Sequence, residues 1–219
     1  MRNIALFGLL AALSVLPAGQ VDAQASRPAP KAAAQASDGD QLVRRVQERY
    51  AQIRTVRAKF EQEVGGQTLA GTLTLRGDAY RIELPGQTLV SDGATAWSYA
   101  AADNAVLVST ATDDEQSIQP GKFFTEFPDR FTARRLAPTT VGGVRVERLG
   151  LTPLSATDGV ASATLFVRAS DLVPIRLEAT AAGGGQITLA LRDVEVNPAV
   201  PASAFRFTPP AGAEVVDLR

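Results

Sequence analysis

The sequence predicts an α+β fold: one long, curved antiparallel sheet covered by an N-terminal helix and a short central helix. Three patterns carry that expectation. Apolar residues recur at helical spacing from Leu42 to Ile53 and again at Phe123 and Phe127. Most other apolar residues alternate with polar ones at a period of two, and glycine-rich pairs punctuate the alternating segments.

The chain opens as an exported protein does. Met1-Arg2-Asn3 precedes an apolar run from Ile4 to Leu16, and small residues at Val21-Asp22-Ala23 and Ala23-Gln24-Ala25 suit signal peptidase, so residues 1–23 read as a secretory signal peptide. The run is too short for a comfortable membrane span, and no cysteine follows it to carry a lipid. In a cell with an outer membrane the destination is the periplasm. Residues 24–37, rich in Ala and Pro without apolar periodicity, read as a flexible leader, and residues 38–219 as one folded domain.

Ser37 and Asp38 are N-cap candidates for a helix over residues 38–53, in which Leu42, Val43, Val46, Tyr50 and Ile53 form an apolar stripe. Strands follow. Val56, Ala58 and Phe60 alternate with Arg57, Lys59 and Glu61. Leu69, Gly71, Leu73 and Leu75, then Tyr80, Ile82 and Leu84, repeat the pattern, as do Val173 to Ala179, Ile187 to Leu191, and Phe205 with Phe207. Gly65-Gly66, Gly77-Asp78, Asp92-Gly93, Gly142-Gly143 and Gly183-Gly184-Gly185 mark the turns. The spacing fits a meander of roughly nine to eleven strands. In the middle, Pro120 leads into Phe123 and Phe127, four apart as on one face of a short helix.

Composition removes most chemistry. The 219 residues include no cysteine and no histidine, which excludes Ser-His-Asp and Cys-His catalysis, zinc-thiolate sites, iron–sulfur clusters and disulfides. Lys+Arg 22 against Asp+Glu 23 leaves no excess of positive charge for a nucleic acid. Asp113-Asp114-Glu115 lacks the spacing of a calcium loop and reads as a solvated turn. Glu61 and Glu63 share a strand face, as a glycosidase pair would, but nothing around them suggests a sugar cleft. Neither catalytic residues, nor a metal, nor a cofactor is expected.

A sheet this long must curl, and two short helices are a thin cover for it. Either the sheet closes on a filled interior, or an apolar cavity remains and holds a hydrophobic ligand. Periodicity is compatible with both.

Several segments, taken in order, resemble the periplasmic outer-membrane lipoprotein carrier (LolA-like) family. Ala58-Lys59-Phe60-Glu61-Gln62 is similar to the family's small-x-Phe-x-Gln strand, and Gly71 to Leu75 with Tyr80-Arg81-Ile82 to its next hairpin. Val90-Ser91-Asp92-Gly93 with Trp97 and Tyr99 matches its V-S-D-G-x-x-x-W-x-Y block, and Phe205-Arg206-Phe207-Thr208-Pro209-Pro210 with Val215-Val216-Asp217 its carboxy-terminal signature. The resemblance implies an incomplete (half) β-barrel with a cavity for lipoprotein acyl chains, built from the strands of Phe60, Leu73, Leu75, Tyr80, Ile82, Leu89, Trp97 and Tyr99, with Phe123 and Phe127 in the lid. It also implies three partners: lipid-modified lipoproteins, an ATP-driven releasing complex in the inner membrane, and an outer-membrane acceptor. The working unit is expected to be a monomer.

Family members carry an arginine after the second strand that ties the lid shut. Arg76 is the candidate here, although Leu75-Arg76-Gly77-Asp78 lacks the family's proline, and alternation puts Arg76 opposite Leu75 unless Gly77 kinks the strand. An ATPase partner is also what the energetics require. At about 0.8 kcal/mol per methylene, three acyl chains of about fifteen carbons favour a bilayer over water by tens of kcal/mol. That exceeds the roughly 20 kcal/mol at which noncovalent affinities saturate, and the chain has no G-x-x-x-x-G-K-S/T loop of its own. The alternative reading is a lipid-sensing regulatory or envelope-interaction protein on the same half-barrel.

Overall fold

The computed structural model describes residues 37–111, 130–155 and 159–219. Helix α1 (Asp38–Ala51) begins at a capping box: the Ser37 hydroxyl accepts from the Asp40 N–H, and the Asp40 carboxylate accepts from the Ser37 N–H. The helix ends two residues before the expected Ile53. There the Asn197 side chain accepts from the Arg54 and Thr55 N–H groups and donates to the Gln52 carbonyl, turning the chain into the sheet.

Among the described residues twelve strands form one curved sheet that does not close, an incomplete β-barrel. They are β1 (Val56–Val64), β2 (Gln67–Arg76), β3 (Ala79–Leu84), β4 (Gln87–Ser91), β5 (Thr95–Ala100), β6 (Ala105–Thr110), β7 (Phe131–Val141), β8 (Val144–Pro153), β9 (Val160–Arg168), β10 (Pro174–Ala181), β11 (Gln186–Val196) and β12 (Glu214–Asp217). Across the sheet the order is β12-β6-β5-β4-β3-β2-β1-β11-β10-β9-β8-β7. All five glycine-marked turns lie between consecutive strands.

The described residues hold twelve strands, one more than the upper end of the nine to eleven expected, and two further expectations need correcting. The sheet is antiparallel except at one edge, where β12 runs parallel to β6. And Phe205 and Phe207 are not in a strand: Phe205 ends a 3-10 turn, Ala202–Phe205. Both departures have one cause. Parallel neighbours need a long crossover, and the chain between β11 and β12 supplies it by crossing the sheet, so these aromatic residues pack against a face instead of joining a ladder.

Helix α1 packs on one face, called the inner face below. Leu42, Val43 and Val46 bury themselves against Phe131, Leu149, Leu151, Leu165 and Val167 of β7, β8 and β9. The fit is close at Gly39, where an added Cβ would overlap the Ala133 carbonyl oxygen of β7. The turn after β9 buttresses the helix: Arg49 Nε donates to the Asp171 carbonyl at 3.1 Å, and Arg168 grips the Asp171 carboxylate at 2.8 and 2.7 Å.

On the outer face Val146 and Phe166 are buried in the β8–β9 half with Ile175, Val141 and Val194, and a second core lies beneath the crossover. Phe205, 1% exposed, sits over the half of the sheet where Ala79, Val90, Val106 and Val108 are buried. Arg76 Nη1 donates to the Val200 carbonyl at 3.4 Å, and the guanidinium stacks 4.4 Å from the Phe205 ring centroid. Arg81 Nη1 donates to the Ala204 carbonyl at 3.4 Å, and Phe207 packs on Tyr99 with ring centroids 5.6 Å apart.

Candidate functional site

Residues paired across an antiparallel ladder point to the same side, so the register assigns every strand residue to a face. One row runs Ala58–Leu73–Ile82–Leu89–Ser98–Leu107 and ends on Val216 of the parallel edge strand. A second runs Leu149–Leu165–Leu177–Leu189–Gln62–Leu69. Since Leu149 and Leu165 lie under α1, both rows belong to the inner face.

Helix α1 covers the β7–β9 end of these rows. Beyond it, over β11 and β1 to β4, Phe60, Tyr80 and Ile82 are buried within a ring of half-buried leucines: Leu73, Leu75, Leu84, Leu89, Leu189 and Leu191. Gly71 makes room for the Phe60 ring. A Cβ there would overlap the Glu83 carbonyl oxygen and come within 3.0 Å of Phe60 Cε1. A β-bulge keeps charge off this surface. Strict alternation after Leu189 and Leu191 puts Asp193 inside, but Arg57 pairs with Glu195 and Lys59 with Arg192, so β11 carries an extra residue opposite Ala58. Asp193 takes a positive φ of 51° and binds Lys59 Nζ in solvent at 2.8 Å. That ion pair holds the Asp193 carboxyl below its usual value through the Lys59 hydrogen bond and charge.

The residues singled out from the sequence divide. Phe60, Leu73, Leu75, Tyr80, Ile82 and Leu89 come together in this one inner-face cluster. Trp97 and Tyr99 do not: Trp97 pairs with Val90 and Val108, Tyr99 with Thr88 and Val106, which places both on the outer face. There Tyr99 meets Phe207 and its hydroxyl donates to Asn104 Oδ1 at 3.2 Å. Phe123 and Phe127, with the central helix, the acidic run 113–115 and the signal and leader segments before Ser37, lie outside the described residues. The ladder continues unkinked through Leu75–Tyr80 to Arg76–Ala79, so Arg76 faces outward, and its described contacts are with Val200 and Phe205.

The Asp92-Gly93 turn is architectural. Burial pushes the Asp92 carboxyl up, but the Thr95 and Ala94 N–H groups it accepts from and the nearby Arg206 charge hold it below its ordinary value. Glu61 is tied to Arg192 across the strands at 3.3 Å. A separate concavity of about 470 Å³, lined by Ser37, Asp38, Gly39 and residues 133–137, opens between the start of α1 and the edge strand β7. Its lining mixes polar side chains with Ala133, Leu136 and Ala137, and it lies apart from the leucine ring, whose apolar lining makes it the stronger candidate for a lipid. Leu84, Leu189, Leu191 and Gln62 belong to this face as well: Leu84 and Gln62 share the parity of Ile82 and Phe60 on their own strands, and Leu189 and Leu191 join them through the pairing of β11 with β1.

The profile of a family described as outer membrane lipoprotein carrier protein LolA matches residues 51–208. An outer-membrane lipoprotein carrier protein from Albidiferax ferrireducens is 27% identical over 187 residues, covering 76% of this chain and 82% of that protein. Among solved structures, an uncharacterized conserved protein from Thermus thermophilus superposes with a TM-score of 0.57 at 16% identity, covering 81% of this chain and 97% of that one. Lipoprotein LppX of Mycobacterium tuberculosis gives 0.52 at 13% identity, covering 74% and 96%. These two share the fold.

Proposed function

Because the chain belongs to the outer membrane lipoprotein carrier family, a family of periplasmic, non-enzymatic carriers, we propose that it shields the acyl chains of lipid-modified lipoproteins on its inner face and ferries them from the inner to the outer membrane. The observation that carries this reading is the leucine ring around Phe60, Tyr80 and Ile82, set on the part of the inner face that α1 leaves free. Six half-buried leucines in one patch offer an acyl chain apolar contact, and each methylene it withdraws from water there favours binding by up to about 0.8 kcal/mol.

Burial against this patch is passive and reversible. Loading from a bilayer then depends on an inner-membrane complex that spends ATP, and delivery on an outer-membrane acceptor with a stronger hold. Among the described residues no helix is long and apolar enough to cross a membrane.

The test is purification of the protein from its own cell envelope, followed by mass spectrometry of whatever lipoprotein comes with it. Triacylated lipoprotein is expected with the wild type, reduced at least tenfold with Leu73→Glu and unchanged with Val144→Glu, which changes an exposed residue of the outer face. Equal recovery of a lipoprotein whose acylated cysteine has been replaced by serine would refute the reading.

A further inference from the structure

We propose that the Gln62 side-chain amide donates a hydrogen bond to an acyl-linkage carbonyl, ester or amide, of the lipid on the inner face, so that the site reads the head of the acyl chain as well as its hydrocarbon. This rests on the acyl-chain reading above and adds a polar contact to it.

Gln62 lies two residues beyond Phe60 on β1, so the two side chains share the inner face. Its cross-strand partners are Leu69 on one side and Leu189 on the other, and the residue is only 7% exposed. Its side chain makes no hydrogen bond among the described residues. Nor is it sealed off, because no fully buried side-chain nitrogen or oxygen among those residues lacks a partner. The amide therefore reaches the surface of an apolar patch with its donors unspent.

That placement is costly in the free protein. An amide set among leucines gives up most of its hydration without a protein partner in return, and a leucine or valine would suit the strand and the patch better. Hydrocarbon cannot satisfy the amide. The carbonyl at the head of an acyl chain can, because it is an acceptor fixed to the end of the very group the leucine ring would cover. Phe60 lies on one side of Gln62 along the strand and the Gly65-Gly66 turn on the other. Hydrocarbon lying toward Phe60 thus leaves the linkage near Gln62, at the end of the strand.

The experiment compares two probes on the purified protein, by competition against a fluorescent fatty acid. One is a dipalmitoylglyceryl-cysteine peptide; the other is its dihexadecyl ether counterpart, which has the same chains without the carbonyls. Wild type is expected to bind the ester about fivefold more tightly than the ether, as one neutral hydrogen bond supplies. Gln62→Leu is expected to bring the ester down to the ether's affinity, to leave ether binding equal or tighter, and to leave the urea midpoint unchanged or higher. Gln62→Met repeats the comparison if the branched side chain does not fold. An ester preference that survives either substitution, or a wild type that binds both probes equally, overturns the role of Gln62 and leaves the carrier reading standing. Failure of both probes to bind wild type overturns the acyl-chain reading and this inference together.

Discussion

Replacing Arg76 with methionine tests where the two halves of this molecule are joined. Methionine keeps the apolar stem of the arginine and removes its guanidinium. Two contacts are lost, the 3.4 Å hydrogen bond to the Val200 carbonyl and the stacking 4.4 Å above Phe205. A hydrogen bond of that length falls near the low end of the usual range, about 0.5–1 kcal/mol. The cation–π contact adds about 1 kcal/mol, because Phe205 is almost wholly out of water. The expected loss is therefore about 1.5–2 kcal/mol, read as a lower urea midpoint with an unchanged slope. A double-mutant cycle with Phe205→Leu should return a coupling of about 0.5–1 kcal/mol, and limited proteolysis should cut earlier between residues 197 and 213. If the two substitutions add without coupling and the carboxy-terminal segment stays protected, Arg76 does not anchor that segment and the outer-face argument is wrong.

Two other outcomes follow from the same geometry. Gly71→Ala should cost about 1–3 kcal/mol by urea denaturation, since the new methyl group meets the Glu83 carbonyl, Leu84 Cδ2 at 2.9 Å and Phe60 Cε1 at 3.0 Å, and β2 and β3 must part to admit it; a neutral result would mean that Phe60 does not lie over Gly71. Asp171→Asn should lower stability near neutral pH by up to about 1 kcal/mol, the scale of a part-exposed ion pair. Partial burial pushes the Asp171 carboxyl up, but hydrogen bonds from Arg168 and the Val173 N–H and the charges of Arg168 and Arg49 outweigh it, leaving the folded-state pKa below the ordinary 3.8. A depressed carboxyl contributes stability above its unfolded pKa and loses it as pH falls through the folded value. The gap between wild type and variant should thus be full above about pH 5 and close as the pH drops below about 4; a gap that persists in acid would assign the effect to packing.

Among the described residues the position after β2 meets the crossover, and the lid that family resemblance would have it latch lies outside them. Arg76 extends the outward row of its strand and is occupied by the crossover. The crossover, in turn, gives the β2–β6 half of the sheet a core of its own on the outer face, as α1 does for the β7–β9 half on the inner face. Between the two lies the stretch of inner face that neither core uses, and there the leucine ring sits. Such an arrangement lets the sheet stay folded on two cores that, among the described residues, do not draw on this apolar surface.

Local patterns in the sequence were enough for much of this. The capping residue Ser37, the stripe of Leu42, Val43 and Val46, the alternating strands and the five glycine turns all follow from interactions among residues close in the chain. The motif order also sufficed for the family. What alternation leaves open is which of the two sides each strand shows to the helix, because a slip of one residue in pairing, or one bulge, exchanges them. The long-range register of β1 with β11 set Gln62 beside the leucines, and the register of the β4–β5 hairpin within the sheet turned Trp97 and Tyr99 away from them. The same holds for β12, whose parallel place at the edge depends on a crossover folding over a sheet already formed, a contact between segments more than a hundred residues apart.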